Sequence, residues 1–465
     1  MRILHISTRL ILGGSQENTV LSCEGQARLG HKVHLAYGPI YGPEGSMLDR
    51  IKAFNARCES GQERVRAVGR HVPARPEGEV VVPIVLHEVP HLVREVRPVA
   101  DWLCTRELWH LIERVGPDVV HTHSSKAGIL GRRAAWKFQS PRGNSPLRHK
   151  APGVVHTIHG PPFMPLEGGA VARAITQAKN FAYALAERSA ARRCHLIASV
   201  AEAMTEQFLA RGIGRPQQYI TVYSGMEVDA FLDAAPGEDR RSSRSALGFE
   251  QDDIVIGTVA RLAEHKGHDD ILDALAEDLK SNPNWRLLWV GDGWWRARLT
   301  ERARQLGVAV RELDRLSRHA SADAALAARP TAQLVLTGLV PSERVPSLIR
   351  AMDILVHPSY REGLPRTVPQ ALLCGVPAVA YDVDGTREIC VDGETGKLVE
   401  PGNTAQLRSA IRELAADPAL RAALGVTGRD RCSERFSAER MVAELEAVYG
   451  RAVAAARPDE SQAAP

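Results

Sequence analysis

Residues 353–377 read Asp-Ile-Leu-Val-His-Pro-Ser-Tyr-Arg-Glu-Gly-Leu-Pro-Arg-Thr-Val-Pro-Gln-Ala-Leu-Leu-Cys-Gly-Val-Pro. The apolar run Asp353–His357 predicts a buried strand, and Pro369 and Gly375 predict the start and the end of a short helix. Glu362 lies in the loop between them, at the carboxyl end of the strand and next to the N-terminus of the helix. Ligands bind at this place in open α/β sheets, and the N–H groups of a helix N-terminus attract phosphate. The segment therefore predicts an α/β fold with an anion-binding site beside a carboxylate.

Strand and helix signals alternate along the rest of the chain. Ile3–Ser7, Gln16–Leu29 and Lys32–Tyr37 predict a βαβ unit with Gly13 and Gly14 at its first turn. No G-x-G-x-x-G pattern is present, which disfavours a nicotinamide or flavin cofactor. Further strands are predicted at Asp118–His123, Gly153–His159, His195–Ser199, Tyr219–Tyr223, Ile254–Val259, Arg286–Val290, Gln333–Thr337 and Pro377–Tyr381. This alternation is typical of two doubly wound α/β domains.

Length and composition predict the domain limits. At 465 residues the chain is too long for one ordinary core. The polar, turn-rich segment 234–245 predicts a boundary between an N-terminal domain, residues 1–235, and a C-terminal domain, residues 246–432. The remaining predictions are a helical surface insertion at 311–330, a last helix at 433–456 and a disordered tail at 457–465.

The apolar and charged content is that of a soluble globular enzyme. Seven cysteines occur without paired spacing, so neither a disulfide framework nor a zinc knuckle is expected. No run reaches the roughly 18 apolar residues of a spanning helix. The N-terminus passes at once into a Gly-Gly loop and does not resemble a signal peptide. These features predict a cytoplasmic location.

Charge is divided unequally along the chain. Residues 1–250 hold 32 Lys and Arg against 24 Asp and Glu, whereas the remainder holds 27 against 31. A basic N-terminal half suits an anionic acceptor or the anionic face of a membrane. An arginine-rich surface without a binding role is an alternative that the charge count leaves open.

A second basic signal follows the first strand of the C-terminal domain. Arg261 and Lys266 lie five residues apart in a loop at a strand's carboxyl end, followed by Gly267. An arginine fork and a lysine point charge can together bind a diphosphate. Taken alone, the pair is also typical of a solvated loop.

Two pairs of histidines end predicted strands: His121 with His123, and His156 with His159. No Asp, Glu or Cys completes a metal site at ligand spacing, so no essential metal is expected. The residues leave open that these histidines are structural and bond to neighbouring groups.

Asp382-Val-Asp384 has the form of the Asp-x-Asp metal motif found in another class of enzymes. Such tripeptides are common, and Gly385 follows this one directly. We interpret it as a turn without an essential metal.

The segment around Glu362, together with the Arg261-x4-Lys266-Gly267 sequence, resembles the donor site of the retaining glycosyltransferases of family 4, also called glycosyl transferases group 1. In that family a second Glu follows the first after seven residues, and this chain has Gln370 there. The resemblance extends from Gly13-Gly14 through Ser224-Gly225 to Asp392-Gly-x-x-Gly396. It implies the GT-B fold, in which two Rossmann-like domains face each other across a cleft and a C-terminal helix crosses back to the first domain.

The resemblance also implies roles for individual residues. The expected catalytic residues are His159, Glu362, Arg261 and Lys266. The expected donor-binding residues are Gly14, Gly291, Gly363, Leu364 and Gln370. His123 and Lys126 belong to a segment that resembles the acceptor side of transferases acting on lipid carriers.

The implied reaction moves a hexose or N-acetylhexosamine from a nucleoside-diphosphate sugar to an acceptor hydroxyl. The expected acceptor is a lipid-linked saccharide of cell-surface polysaccharide synthesis, with a soluble saccharide as the alternative. The nucleotide sugar is a co-substrate, so neither a cofactor nor a nucleic-acid partner is expected. A peripheral contact with an anionic membrane on its cytoplasmic face is predicted from the basic residues Arg132, Arg133, Lys137, Arg142, Arg148 and Lys150.

Two other functions remain open at this point. A nucleotide-sugar 2-epimerase has the same architecture, but it needs acid and base carboxylates around the sugar, and no clear set is present. A non-catalytic sugar-nucleotide-binding protein is the second alternative, because Gln370 replaces the acidic residue of the family.

Overall fold

The fold is given by a computed structural model that describes residues 1–40, 45–68, 71–139, 151–164, 169–313 and 332–457. The chain divides into two compact units. The first unit comprises Met1–Met226 and Ala438–Pro465, and the second comprises Glu227–Ser437. Each unit is a parallel sheet flanked by helices, which confirms the prediction of two α/β domains.

The described part of the first unit contains a parallel sheet of seven strands in the order β3-β2-β1-β4-β5-β6-β7. The strands are β1 (Arg2–Ser7), β2 (Lys32–Tyr37), β3 (Val85–Glu88), β4 (Val119–His123), β5 (Gly153–Ile158), β6 (Leu196–Ser199) and β7 (Tyr219–Thr221). Every residue of β4 and β5 is buried. Continuous burial of this kind is expected when helices cover both faces of a parallel sheet.

The helices of this unit are α1 (Gly14–Arg28), α2 (Leu48–Glu59), α3 (Pro98–Val115), α4 (Ser125–Trp136), α5 (Ala170–Ala191), α6 (Glu202–Ala210) and α15 (Ala438–Ala456), the last helix of the chain. Two glycines let α15 approach the sheet closely. A Cβ on Gly25 would lie 2.4 Å from Val442, and one on Gly153 would lie 2.8 Å from the backbone of Ala452. The last helix is therefore part of the core of the first unit, as the resemblance implied.

The second unit has a parallel sheet in the order β10-β11-β9-β8-β12-β13-β14. Its strands are β8 (Ile254–Val259), β9 (Trp285–Val290), β10 (Val310–Glu312), β11 (Leu334–Leu336), β12 (Ile354–His357), β13 (Ala378–Tyr381) and β14 (Gly396–Val399). Its helices are α7 (Asp229–Leu232), α8 (Arg240–Leu247), α9 (His268–Ser281), α10 (Arg296–Gln305), α11 (Val345–Arg350), α12 (Thr367–Leu373), α13 (Thr404–Ala416) and α14 (Pro418–Arg435). The strand signals of the sequence did not include β3, β10 and β14.

Two predicted domain limits differ from the structure. The boundary lies after Met226 rather than at residue 235, because the guanidinium of Arg350 donates to the carbonyls of Ala230, at 2.5 Å, and Asp233, at 2.8 Å. These bonds attach the start of the connecting segment to the second unit. The second unit then continues to Ser437, because α14 extends beyond residue 432.

Two predicted segments lie partly outside the described residues. The insertion predicted as helical from residue 311 begins in strand β10, and residues 314–331 lie outside the described part. In the predicted disordered tail, Arg457 donates to the carbonyl of Ala151 at 3.0 Å, and residues 458–465 lie outside the described part. Among the described residues, no helix has the length and apolarity needed to span a bilayer.

Candidate active site

In the second unit, the predicted site residues lie where the sheet changes direction. Strands β8 and β12 are neighbours, but the chain leaves them toward opposite edges of the sheet. The loop after β8 carries Arg261 and Lys266, and the loop after β12 carries Glu362. A crevice at such a switch point is the usual ligand site of an open α/β sheet.

Three side chains from these loops form a hydrogen-bonded cluster. The ammonium of Lys266 donates to Oε1 of Glu362 at 2.5 Å, and Nε2 of His357 lies 3.0 Å from the same oxygen. The side chains of Lys266 and Glu362 are 19% and 12% exposed. The sequence identified the lysine and the glutamate but not the histidine, whose only signal was its place as the last residue of β12.

The charge of this cluster is well defined. Burial alone raises the pKa of a carboxyl group, but the Lys266 ammonium and the hydrogen bond from His357 outweigh it and hold the pKa of Glu362 well below its ordinary value. Glu362 is therefore a carboxylate at neutral pH. An ammonium has three N–H donors, and Glu362 accepts one of them.

Gly267 is needed to bring Lys266 to this position. Its φ is +66°, and a Cβ there would lie 2.1 Å from the carbonyl oxygen of Pro358. Only glycine tolerates both the backbone conformation and the close approach. The glycine after the lysine thus packs the loop of β8 directly against the residue that follows β12.

Arg261 is exposed in the same loop, and its guanidinium carbon lies 5.7 Å from the ring centre of Trp294. The segment Gly291-Asp-Gly293, which follows the next strand, β9, packs against this loop. Gly291 has φ +136°, and a Cβ on it would lie 2.1 Å from the carbonyl oxygen of Ala260. Gly291 instead forms a bridge with Gly338, and the turn lies just after it, at Trp294 and Trp295. The donor-binding role of Gly291 stays a prediction.

The loop that carries Glu362 is held by its backbone. The N–H of Glu362 donates to Oδ2 of Asp384 at 2.7 Å, and Asp384 adopts φ +45°, which is unusual for a residue other than glycine. Asp382 instead accepts two bonds from Arg387, at 2.8 and 2.9 Å. The two carboxylates of the Asp-x-Asp tripeptide thus have separate structural partners, and Asp384 begins a short 3-10 helix (Asp384–Glu388) rather than the predicted turn.

The helix after this loop begins earlier than its proline indicated. Helix α12 starts at Thr367, so Pro369 is its third residue rather than its first. A proline is tolerated in the first turn because N–H groups there have no partner within the helix. Gly363 and Leu364 are buried in the loop, and Gln370 is half-buried on the helix.

In the first unit, two predicted histidines meet at the carboxyl ends of β4 and β5. Nδ1 of His123 lies 3.0 Å from Nε2 of His159, and Nε2 of His123 lies 2.9 Å from Nδ1 of His5. Burial lowers the pKa of His123 well below its ordinary value and that of His5 to about 4. His5 was not among the residues predicted from the sequence, although it is a polar residue inside the predicted apolar strand β1.

The backbone is strained directly after His123. Ser124 has φ 62° and ψ 161°, and its hydroxyl bonds to that of Thr8 at 2.8 Å. Conformations of this kind cost about 1–3 kcal/mol and cluster at functional sites. The strain reorients the chain between β4 and α4, next to the histidines.

The other site residues predicted in this unit lie at helix starts. Gly14 is the first residue of α1. Lys126, in the first turn of α4, pairs with Asp101 at 2.6 Å and also contacts the carbonyl oxygen of Glu95. The donor-side and acceptor-side roles of Gly14 and Lys126 stay predictions.

The predicted basic surface requires a correction. Arg132 is fully buried, and its guanidinium pairs with Glu187 at 2.6 Å and donates to the carbonyl of Gly128 at 2.8 Å. It therefore cannot contact a membrane, whereas Arg133 and Lys137 are exposed. The remaining predicted cations, Arg142, Arg148 and Lys150, lie outside the described residues.

Comparison with known proteins agrees with this architecture. Residues 13–225 match the family model "Glycosyl transferase 4-like domain", and residues 239–431 match "Glycosyl transferases group 1". The chain is therefore a glycosyltransferase, and it belongs to the group 1 family with a 4-like N-terminal domain.

Similar proteins include two bacterial glycosyltransferases. EpsD of Bacillus subtilis strain 168, provisionally named a glycosyltransferase, is 28% identical over 347 residues, which cover 74% of this chain and 79% of EpsD. The capsular polysaccharide biosynthesis glycosyltransferase CapM of Staphylococcus aureus is 23% identical over 366 residues, which cover 78% of this chain and 85% of CapM.

Among solved structures, HepE of Anabaena in complex with UDP and glucose superposes with a TM-score of 0.67. It is 17% identical, and the match covers 97% of this chain and 99% of HepE. This likeness confirms the GT-B type of fold.

Proposed function

We propose that the protein transfers a sugar from a nucleoside-diphosphate sugar to an acceptor hydroxyl with retention of configuration at the anomeric carbon. The observation that carries this proposal is the Lys266–Glu362–His357 cluster at the switch point between β8 and β12. In this cluster a cation that can bind phosphate lies next to a carboxylate that can bind sugar hydroxyls. The crystallisation of HepE with UDP and glucose supports a nucleotide-sugar donor.

Departure of the diphosphate leaves an electron-poor sugar and places new negative charge on a phosphate oxygen. Lys266 and Arg261 stabilise this charge, and preorganised cations are most effective where charge develops. The leaving phosphate takes the proton of the acceptor hydroxyl, so the reaction needs no protein nucleophile. This differs from retaining glycosidases, which use two closely spaced carboxylates.

The other residues orient the donor. Glu362 accepts hydrogen bonds from sugar hydroxyls, and Gln370 binds the ribose hydroxyls in place of the family's second Glu. His159 is proposed as the residue of the first unit that contacts the transferred sugar. No essential metal takes part, since Lys266 and Arg261 supply the positive charge.

The experiment combines the purified protein with radiolabelled UDP- and GDP-sugars and a bacterial lipid extract. Label should move from the aqueous donor into the lipid phase, and a chelator should leave the rate unchanged. Label that stays in the nucleotide sugar with an inverted C2 centre would identify a 2-epimerase. Binding without turnover on any acceptor would identify a non-catalytic sugar-nucleotide-binding protein.

The matched variants for this assay are two lysines of the second unit. Lys266→Gln should slow transfer about 10²–10³-fold. Lys280→Gln removes a lysine that pairs with Glu277 on the exposed surface, and it should leave transfer unchanged. Loss of transfer in both variants would show that the assay responds to general damage rather than to the donor site.

We further propose that the acceptor is lipid-linked and that the first unit docks on an anionic membrane through helix α5. Val171, Ile175 and Phe181 on this helix are 75%, 51% and 61% exposed. Residues 170–186 contain Arg173 and Lys179 but no acidic residue. Exposed apolar groups beside cations suit the interface of an anionic bilayer, where each cation adds about 1 kcal/mol at most.

Flotation with phosphatidylglycerol vesicles tests the docking. The wild type should float at low salt and less at high salt, and Phe181→Gln should weaken flotation. Val426→Gln, which alters an equally exposed valine in the second unit, should not. Absence of wild-type flotation at low salt would refute docking, and equal activity on a soluble acceptor would refute the lipid-linked acceptor.

A further inference from the structure

A continuous chain of hydrogen bonds leads from His159 into the core of the first unit. Nε2 of His159 lies 3.0 Å from Nδ1 of His123, and Nε2 of His123 lies 2.9 Å from Nδ1 of His5. Nε2 of His5 then lies 2.7 Å from Oε1 of Gln26, on helix α1. His5, His123 and Gln26 are fully buried.

The chain continues beyond Gln26. Its Nε2 donates to the hydroxyl of Tyr449 on α15 at 2.8 Å, and that hydroxyl lies 2.7 Å from Nδ1 of His121. Nε2 of His121 lies 2.7 Å from the hydroxyl of Thr157, on β5. We call these seven residues the histidine relay: His159, His123, His5, Gln26, Tyr449, His121 and Thr157.

The relay has a direction, because a neutral imidazole carries a proton on one nitrogen and a lone pair on the other. The amide oxygen of Gln26 faces His5, so His5 carries its proton on Nε2 and accepts at Nδ1. His123 then donates from Nε2 and accepts at Nδ1, and His159 donates from Nε2. It follows that Nδ1 of His159 is an acceptor nitrogen.

Burial keeps the relay neutral. It lowers the pKa of His5 to about 4 and the pKa values of His121 and His123 well below their ordinary value. Because the rings are neutral, the donor and acceptor roles fixed at Gln26 determine those of each following ring, and no ring carries a charge.

We propose that Gln26, acting through His5 and His123, holds His159 in the tautomer with its proton on Nε2, so that Nδ1 accepts a hydrogen bond from a hydroxyl of the transferred sugar. The sugar contact rests on the function proposed above, whereas the tautomer does not. Gln26, His5, His123 and Tyr449 are thus positioning residues for His159. Inversion of the Gln26 amide would reverse every bond and turn Nδ1 of His159 into a donor.

A metal site competes with the relay for the same atoms. One ring nitrogen each of His5, His121 and His123 lies within 4.8 Å of the other two. Both nitrogens of each of these rings already have hydrogen-bond partners in the relay. A metal ion would therefore have to break the chain, and metal analysis of the purified protein belongs in the test.

The first experiment is nitrogen NMR of the deuterated, 15N-histidine-labelled protein at neutral pH, with His159→Gln used to assign the resonances. We expect His159 to show a protonated Nε2 and an unprotonated Nδ1. A proton on Nδ1, an equal mixture of tautomers or one equivalent of bound zinc would overturn the proposal.

The second experiment changes Gln26. Gln26→Glu keeps an acceptor beside His5 and should preserve both the tautomer and activity. Gln26→Met removes it, so we expect mixed tautomers and a KM for the donor about tenfold higher, the size of one lost hydrogen bond. Mixed tautomers with an unchanged KM would overturn the role in sugar binding.

If Gln26→Met does not fold, Tyr449→Phe replaces it in the test. This variant removes only the hydroxyl that accepts the hydrogen bond from the Gln26 amide. It should loosen the tautomer, and an unchanged tautomer would contradict the relay. Tyr219→Phe is the control, since it removes a hydroxyl bonded to Ile213 outside the relay. If the wild type transfers no sugar from any donor, the proposed function fails, and the NMR result still decides the tautomer.

Discussion

Each sheet of this protein changes direction beside its first strand, between β1 and β4 in the first unit and between β8 and β12 in the second, and each carries a polar cluster there, yet the two clusters differ in charge. In the first unit, histidines from β1 and β4 meet across the point where the sheet changes direction and are kept neutral by burial. In the second unit, loops after β8 and β12 bring together Lys266 and Glu362, which stays ionised despite burial. The sheet topology thus determines where the polar cluster lies, and the neighbouring charged and hydrogen-bonding groups determine whether a buried side chain is charged.

The comparison predicts that the two units differ in acid stability. Buried histidines with lowered pKa values stabilise the first unit fully above about pH 6.5 and lose this stabilisation as the pH falls, because the unfolded chain takes up protons first. Each such histidine lowers the stability by up to about 1.4 kcal/mol per pH unit where the unfolded chain is protonated at that residue and the folded chain is not. Because the pKa of Glu362 is depressed in the folded state, this carboxylate stabilises the second unit above pH 4.5, the ordinary pKa of a glutamate. This stabilisation is lost only as the pH falls below that value.

Hydrogen exchange of the intact protein between pH 7 and pH 5 measures both units separately. The first unit should lose protection before the second. Among the described residues of the second unit, burial likewise lowers the pKa of His268, to about 3, and that of His265. Simultaneous loss, or earlier loss in the second unit, would contradict the comparison.

The charged cluster should dominate catalysis. Lys266→Gln or Arg261→Ala removes a preorganised cation, and we expect turnover to fall about 10²–10³-fold, or about 2–4 kcal/mol. Steady-state kinetics on the acceptor found in the transfer assay measures this. Near-normal turnover of Arg261→Ala would contradict the proposal that Arg261 binds the diphosphate.

The single sugar contacts should matter less. Glu362→Gln and His159→Ala each remove hydrogen bonds that we propose are made to the sugar, and we expect a loss of about 1–3 kcal/mol, or about 10–100-fold in kcat/KM. Circular dichroism checks that both variants fold. If both keep most of their activity, the sugar does not bind at these residues.

The smallest effect is expected at Gln370. An amide oxygen accepts a hydrogen bond as a carboxylate does, but the charge-assisted bond is about twice as strong. We therefore expect Gln370→Glu to stay active and to bind the donor a few-fold more tightly, by about 0.5–1 kcal/mol, as measured by calorimetry. Complete inactivation would show that Gln370 does not hold the ribose.

The sequence by itself determined the fold class, most of the strands and the position of the loops that carry Glu362 and Lys266. These are local properties: apolar periodicity shows which residues are buried, and glycine and proline show where strands and helices end. Glu362 and Lys266 could be placed in this way because each lies in a loop that follows a predicted strand, whereas their expected roles came from the resemblance to the family.

Only the tertiary structure decided which of these residues meet. Glu362 and Lys266 are 96 positions apart, and His5 and His123 are 118 apart. Contacts over such separations depend on sheet order, which local patterns do not specify. The sequence likewise could not distinguish Arg132 from a surface arginine, because Glu187, the carboxylate that balances its buried charge, lies 55 positions away.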